Sequence, residues 1–215
     1  WVTLKGRVVF PANRPLPEKK KIDAKSDREH CLSKGDLFAD DVVVNPANRG
    51  IKNVWVYLRP DSDDPAARLG PAAVHPDLRA AKPVEHAVDQ PCCQFVPRVL
   101  AVRAGDTIRF KNSSPIPHNV NYAADANPFN RTLPAGGQTT TVVEAQRGTI
   151  VFKCDIHPWM AGAVLAFDHP YFALTDADGN YEIKNAPTAG VRVVYRHEGG
   201  YHKGRDGAKG FPIAA

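Results

Sequence analysis

Short runs in which hydrophobic and polar residues alternate extend along most of the chain, and turn residues separate them. A period of two is typical of half-buried β-strands, whereas an amphipathic helix shows a period of 3.6 residues. Helix-length amphipathic windows are almost absent, so we predict an all-β protein. The runs predict strands at residues 2–10, 42–44, 51–58, 84–89, 95–102, 106–112, 139–144, 149–154, 162–167, 172–175, 180–183 and 191–197.

Three segments lack this alternation and are expected to lie outside the strands. Residues 15–40 are polar and predict a long excursion with one short helical turn. Residues 61–83 are rich in Pro, Ala and Asp, and we interpret them as a linker. Residues 201–215 are rich in Gly and basic side chains and are expected to form a tail. The strands at 95–102 and 106–112 are close enough to predict a hairpin.

The composition of the 215 residues excludes several classes of protein. The chain is 43% hydrophobic and 24% charged, as in ordinary globular proteins. No stretch reaches the roughly 18 apolar residues of a membrane-spanning helix, so we predict no transmembrane segment. The net charge of +5 is spread along the chain without a nucleic-acid-binding motif. We therefore expect no nucleic-acid partner.

The residues with the clearest chemistry follow the predicted strand 149–154. Cys154 shares a face with Phe152, because alternate side chains of a strand point the same way, so the thiol enters the core. His157 and Met160 lie on the loop that follows. A thiol, an imidazole and a thioether form a soft ligand set, which selects copper over zinc, calcium or magnesium.

A second imidazole is expected from His118, which follows the predicted strand 106–112. Two His, one Cys and a weak axial Met make up the blue-copper arrangement. Asn119, beside His118, is expected to tie the two ligand loops together by hydrogen bonds. Taken singly, each ligand candidate also has an ordinary role as a core or surface residue. Met160 is the only methionine of the chain, and its place six residues after Cys154 favours the metal site.

The segment CDIHPWM at 154–160 resembles the C-x-x-H-x-x-M loop of the cupredoxins, and Pro158 makes it most similar to the amicyanin loop. Residues 95–97, 102–112 and 118–120 resemble the preceding strands of that family. The resemblance implies a Greek-key β-sandwich over residues 84–167, with one copper ion that cycles between Cu(I) and Cu(II). Its ligands would be His118, Cys154, His157 and Met160.

The resemblance also implies single-electron transfer rather than catalysis, because four protein ligands leave no open coordination position. If Met160 lies too far away, copper has three ligands or binds water, and a copper oxidoreductase subunit is the alternative. His157, Pro158 and Trp159 are expected to form an apolar surface patch, the electron port, with Asn119 and Pro158 supporting the ligands. A redox protein would bind there transiently, or the chain would belong to a larger redox complex.

The flanks of this region resemble a different fold. Residues 175–183 and 191–195, with 6–10 and 54–58, are similar to the carboxypeptidase regulatory-like (transthyretin-like) fold. This resemblance implies a second small β-sandwich, made of residues 1–60 and 168–200. The cupredoxin domain would be inserted in it or packed on it.

The remaining cysteines predict an oxidising environment. Cys92 and Cys93 are adjacent in an extended segment and face opposite ways, so one of them can pair with Cys31. The cupredoxin resemblance favours a Cys31–Cys93 disulfide; a second metal site at Cys31, His30 or the Cys92–Cys93 pair is the alternative. A disulfide fits the periplasm or the cell exterior, and a signal or anchor is expected to have been removed.

These features favour an exported blue copper protein that transfers single electrons. The alternatives are a copper-handling module and a cell-surface interaction module, both without redox turnover.

Overall fold

The computed structural model describes residues 1–213, without the side chains at 205 and 206. Over these residues the structure is built from strands with a few short helices, and this confirms the predicted all-β class. The α-helices are α1 (Arg28–Cys31) and α2 (Pro76–Arg79), and 3₁₀ turns cover Pro71–Ala73 and Gly204–Lys209. The strands are β1 (Val2–Arg7), β2 (Trp55–Pro60), β3 (Glu85–Asp89), β4 (Val99–Arg103), β5 (Thr107–Lys111), β6 (His118–Ala123), β7 (Phe129–Leu133), β8 (Gln138–Val142), β9 (Ile150–Lys153), β10 (Ala161–Phe167), β11 (Phe172–Leu174), β12 (Asn180–Ala186), β13 (Val191–His197), β14 (Gly200–Tyr201) and β15 (Phe211–Pro212).

The chain divides into two compact units. A central unit contains residues 18–40 and 83–168, and a flanking unit contains residues 1–17, 41–82 and 169–213. The expected boundaries differ from this division in three segments. Residues 18–40 belong to the central unit, not to the flanking sandwich, and residues 61–82 and 201–213 belong to the flanking unit.

Two sheets form a sandwich in the central unit. One has the strand order β4-β10-β9-β6-β7, and the other has the order β3-β5-β8. Most neighbours are antiparallel, but β10 runs parallel to β4 and β3 runs parallel to β5. The predicted hairpin of residues 95–102 and 106–112 is therefore wrong, since β4 and β5 lie in different sheets. The turn at 104–106 carries the chain from one sheet to the other, and the Asp106 carboxylate accepts the Arg103 N–H there at 3.0 Å.

Aromatic rings fill the centre of this sandwich. The rings of Phe95 and Phe110 meet the ring of Phe152 edge-on, with centroids 4.8 and 5.2 Å away. Gly162 on β10 lies directly against the Phe152 ring, so that a Cβ at this position would overlap it and the Arg98 carbonyl oxygen. The end of β9 is thus fixed from both sheets, and the loop that follows it starts from a rigid position.

Residues 18–40, which we call the cap segment, form an ordered loop in the central unit. The segment closes on itself through hydrogen bonds from Ile22 N–H to the Leu37 carbonyl, at 2.9 Å, and from Ala39 N–H to the Lys20 carbonyl, at 2.8 Å. Three of its side chains are buried in the same core as the aromatic rings; these are Ala24, Cys31 and Leu37. The apolar positions that fix the segment are far apart in a polar sequence, so no strand or helix period marks it.

The flanking unit also has two sheets. One pairs β1 with β12, and the other has the order β11-β2-β13-β14, with β15 also on β13. Apolar side chains of both sheets form its core, including Val54, Val56, Leu58 and Ile183. The transthyretin-like fold of this unit stays a prediction.

Two segments that were expected to be a linker and a tail are parts of the flanking unit. In residues 61–82, Val74 is buried in the core and the His75 N–H donates to the Tyr171 hydroxyl at 2.7 Å. In residues 201–213, β15 pairs with β13, where Phe211 lies opposite Val193. Residues 214 and 215 of the expected tail lie outside the described residues. Among the described residues, no helix has the length and apolar character needed to cross a lipid bilayer.

Candidate metal centre

Two neighbouring strands and one loop bring the predicted ligands together. His118 is the first residue of β6, and Cys154 directly follows β9, which pairs antiparallel with β6. His157 and Met160 lie on the loop of residues 154–160, which leads to β10. Hydrogen bonds from Cys154 N–H to the Met160 carbonyl, at 3.0 Å, and from Met160 N–H to the His157 carbonyl, at 2.9 Å, hold this loop in a compact turn.

The donor atoms of three of these residues converge. Nδ1 of His118 lies 3.0 Å from Nδ1 of His157, which in turn lies 3.8 Å from Sγ of Cys154. All three donor atoms are within 4.8 Å of one another. Donors around one metal ion, with bonds of about 2.0–2.3 Å, stand roughly 3–4 Å apart. The pocket therefore fits a single ion, and its thiolate and imidazole donors suit copper.

The pocket is closed to solvent. His118 and His157 have no exposed surface, and Cys154 and Met160 are each 1% exposed. Met160 lies in the core cluster that also contains Cys154. The thioether of Met160 is therefore protected from water.

Backbone groups prepare the sulfur of Cys154 for a negative charge. The N–H groups of Asn119 and His157 point at Sγ, at 3.3 and 3.4 Å. Donors of this kind stabilise a thiolate more than a neutral thiol, because hydrogen bonds to an ionised acceptor are stronger. One donor comes from β6 and the other from the loop of residues 154–160, so these contacts also fix the sulfur between the two elements.

The imidazole of His118 is held in the form that binds a metal. Burial, together with the neighbouring His157 and His30, lowers the pKa of His118 to about 4, against an opposing effect of Asp27. The ring is therefore neutral at neutral pH, with a lone pair available. Its Nε2 is buried without a hydrogen-bond partner in the described part of the chain.

Asn119 connects β6, which carries His118, to the loop of residues 154–160. Its side-chain oxygen accepts the Asp155 N–H at 3.2 Å, and its side-chain amide donates to Asn130 Oδ1 at 2.6 Å. Asn119 is 6% exposed, so these bonds lie mostly out of water. Pro158, the other residue expected to support the ligands, is exposed on the loop.

The expected exposure of His157 is wrong. Its ring has no exposed surface, and Nε2 lies 2.9 Å from Oδ2 of Asp27 in the cap segment. Trp159 packs beside it, with ring centroids 5.3 Å apart, and is itself half-buried. The cap segment occupies the position from which this histidine was expected to reach the surface. Of the three residues expected to form the electron port, Pro158 is the exposed one.

Sequence reasoning missed Asp27 as a residue of the site. It lies 130 residues before His157 and in a segment without strand periodicity. The only signal near it was the concentration of Asp27, His30 and Cys31 in an otherwise ordinary polar stretch. As metal ligands, His30 and Cys31 were weighed only for a second metal, and Asp27 was weighed for neither site.

Of the three cysteines outside the pocket, two form a disulfide and one is a free thiol. Cys31 and Cys93 form a disulfide, with Cα atoms 5.3 Å apart, which is the pair that the cupredoxin resemblance favoured. Because both sulfurs are bonded to each other, the alternative of a second metal on these thiols is not supported. Cys92 is a buried free thiol whose Sγ lies 3.5 Å from the His30 carbonyl oxygen.

Comparisons with known proteins identify a copper-binding family. The sequence model for copper binding proteins of the plastocyanin/azurin family matches residues 83–166. Plastocyanin from Vicia faba is 38% identical over 74 residues, which cover 29% of this chain and 75% of that protein. Chloroplastic plastocyanin from Hordeum vulgare is 38% identical over 72 residues, covering 29% of this chain and 46% of that protein.

A solved structure of a purple cupredoxin from Nitrosopumilus maritimus is 23% identical, with a TM-score of 0.34, over 38% of this chain and 98% of that one. The chain spans about half of the barley relative's length, and the matched residues include neither the cap segment nor the flanking unit. They do include every residue of the pocket. This chain belongs to the plastocyanin/azurin family of copper binding proteins, a family that binds a single copper ion.

Proposed function

We propose that this chain is an exported type 1 copper protein that carries single electrons, with one copper ion held by His118, Cys154, His157 and Met160. The observation that carries the proposal is the convergence of two imidazole nitrogens and one thiol in a buried pocket beside Met160. Copper, when bound, supplies a one-electron couple between Cu(I) and Cu(II).

The protein holds the donor atoms in fixed positions and excludes water from them. The two N–H groups that point at Cys154 Sγ, and the Asn119 bridge between the loops, fix the donor positions before any metal binds. Fixed donors change little between two oxidation states, so electron exchange requires little reorganisation. Four protein donors also leave no position for a substrate, and this favours a carrier over a catalyst.

The surroundings of the pocket support transient contact with a redox partner. Ile156 is 37% exposed, Pro158 is exposed and Trp159 is half-buried, so the loop presents an apolar surface next to the buried ligands. Weak redox encounters use small interfaces of this kind. The same surface would serve within a larger redox complex.

The Cys31–Cys93 disulfide supports a place outside the cytoplasm. Disulfides persist in oxidising compartments and are rare where thiols are kept reduced. We therefore assign the chain to the periplasm or the cell exterior.

Titration of the full-length apoprotein with Cu(II) tests the function. We expect one equivalent of copper to give an intense absorption near ~600 nm, the property of a copper–thiolate site with trigonal geometry. The band should disappear in Cys154→Ser and remain in Cys92→Ser, which removes the other buried free thiol without touching the pocket. The protein that shows this band should also give a reversible one-electron wave in voltammetry.

Two other outcomes would replace the proposal. A colourless complex, or a coloured one that cannot be reduced reversibly, would favour a copper-handling module. Failure to bind copper in a folded protein would favour a surface interaction module. Replacement of Met160 by Leu separates the ligand sets, since the reduction potential should rise if the thioether binds and stay unchanged if it does not.

A further inference from the structure

Asp27 lies against the metal pocket from a segment that the family match does not include. Its Oδ2 is 2.9 Å from Nε2 of His157, on the side of the ring opposite to the nitrogen that faces Cys154. The Asp27 side chain is 43% exposed, whereas that of His157 has no exposed surface. The carboxylate therefore stands between a buried ligand and the solvent.

The cap segment that carries Asp27 is fastened close to this ring. One ring nitrogen of His157 lies within 4.8 Å of both sulfur atoms of the Cys31–Cys93 disulfide. The Trp159 indole N–H donates to the Cys93 carbonyl at 3.1 Å, which ties the ligand loop to the same disulfide.

Further contacts hold the segment from Asp27 to its end. Asp27 precedes α1 and its carbonyl accepts the Cys31 N–H at 2.8 Å, so its position is set by the disulfide-bonded turn. At the end of the segment, the Asp40 carboxylate pairs with Arg98 at 3.1 Å. These contacts make the cap segment a fixed wall of the pocket.

The hydrogen bond determines which nitrogen of His157 is free. A carboxylate can only accept, so the proton is held on Nε2 and the lone pair of Nδ1 faces the pocket. Carboxylate partners of this kind orient a metal-binding imidazole and raise its basicity. The negative charge also stabilises the more highly charged oxidation state of a nearby metal.

We propose that Asp27 is a positioning residue for the copper ligand His157, and that the cap segment covers the histidine side of the centre. This inference rests on the proposed function. It predicts that electrons leave beside Pro158 and Trp159, not through an exposed histidine edge.

Three substitutions test the role of Asp27. Asp27 has φ 48°, in the left-handed region, so Asp27→Gly removes the carboxylate without backbone strain and Asp27→Asn keeps an acceptor at the same place. Asp23→Asn is the matched control, because it removes a charge from an exposed carboxylate of the same segment that pairs only with Arg28.

Competition with a chelator and voltammetry of the full chain are the measurements. We expect Asp27→Gly to lower copper affinity by about 10–100-fold, and Asp27→Asn to lower it less. Both should raise the reduction potential, since each removes a negative charge near the metal, and Asp23→Asn should change neither value. Unchanged affinity and potential in Asp27→Gly would overturn the positioning role.

Chemical modification of the apoprotein tests, without copper, whether the cap segment covers His157. We expect diethyl pyrocarbonate to leave His157 unmodified in the wild type and to modify the exposed His202, as read by peptide mass spectrometry. His157 should become reactive in Asp27→Gly and in the double variant Cys31→Ser, Cys93→Ser, but not in Cys92→Ser. Reactive His157 in the folded wild type would overturn the cover.

The two sets of results separate the inference from the function on which it rests. A wild-type protein without a blue band, but with a protected His157, would refute the electron carrier and retain the cover. A blue wild-type protein whose Asp27 variants behave normally would refute the inference alone.

Discussion

Removal of the Asn119 side chain should loosen the connection between β6, which carries His118, and the ligand loop of residues 154–160. Asn119→Ala deletes the acceptor of the Asp155 N–H, at 3.2 Å, and the donor to Asn130, at 2.6 Å. The backbone N–H of residue 119 still points at the Cys154 sulfur, so the variant changes the bridge and leaves that contact in place.

The two lost bonds differ in their contribution. The Asp155 N–H is partly buried and loses its partner, which costs about 1–3 kcal/mol, whereas the exposed Asn130 amide can bind water instead. We therefore expect Asn119→Ala to lower the free energy of unfolding of the apoprotein by about 2 kcal/mol. Because the bridge orients β6 relative to the ligand loop, copper affinity should fall by about 10–100-fold.

Urea unfolding followed by circular dichroism gives the first value, and chelator competition gives the second. The control is Asn121→Ala, whose side chain contacts only the Asp155 carboxylate, at 3.0 Å and near solvent, so its stability should stay within about 0.5 kcal/mol of the wild type. If Asn119→Ala matches the control in both measurements, the bridge does not support the site.

Three further predictions concern the sandwich and its metal. Burial opposes ionisation of Asp106, but hydrogen bonds from His86, the Val84 N–H and the Arg103 N–H outweigh it and hold the pKa of Asp106 below its ordinary value. Asp106→Asn should thus cost about 2–3 kcal/mol in urea unfolding at pH 7. This deficit should shrink as the pH falls from about 4 through the lowered pKa of the native carboxylate, because the unfolded chain then binds a proton that the native protein does not; a constant deficit would contradict the argument. Gly162→Ala should destabilise by about 1–3 kcal/mol in the same assay, since the methyl group overlaps the Phe152 ring, and an unchanged midpoint would contradict it. Removal of copper by a chelator should lower the unfolding temperature measured by calorimetry. The free energy of unfolding should fall by about 4 kcal/mol when free copper was 1,000 times Kd, and a chelator should have no effect on Cys154→Ser.

The local part of the site follows from the sequence. Cys154, His157 and Met160 lie within seven residues, and a strand that ends in a tight turn keeps such residues together. His118 joins them because β6 and β9 are adjacent in one sheet, an arrangement that the alternation of the strands does not specify by itself. The cupredoxin resemblance provided that adjacency.

Long-range contacts are where the sequence-based predictions fail. The burial of His157 depends on Asp27, and no local pattern signals a contact over 130 residues. The expected hairpin of residues 95–102 and 106–112 fails for a related reason. Closeness in the chain favours pairing, but here the partners of β4 and β5 are β10 and β8, which are distant in sequence.

The order in which the units appear along the chain has a consequence for biosynthesis. All residues of the central unit have been translated once position 168 is reached, whereas β1 and β2 of the flanking unit pair with β12 and β13, which come later. Domains of nascent chains fold as units once their residues are available. The central sandwich can therefore form while the first strands of its neighbour still await their partners.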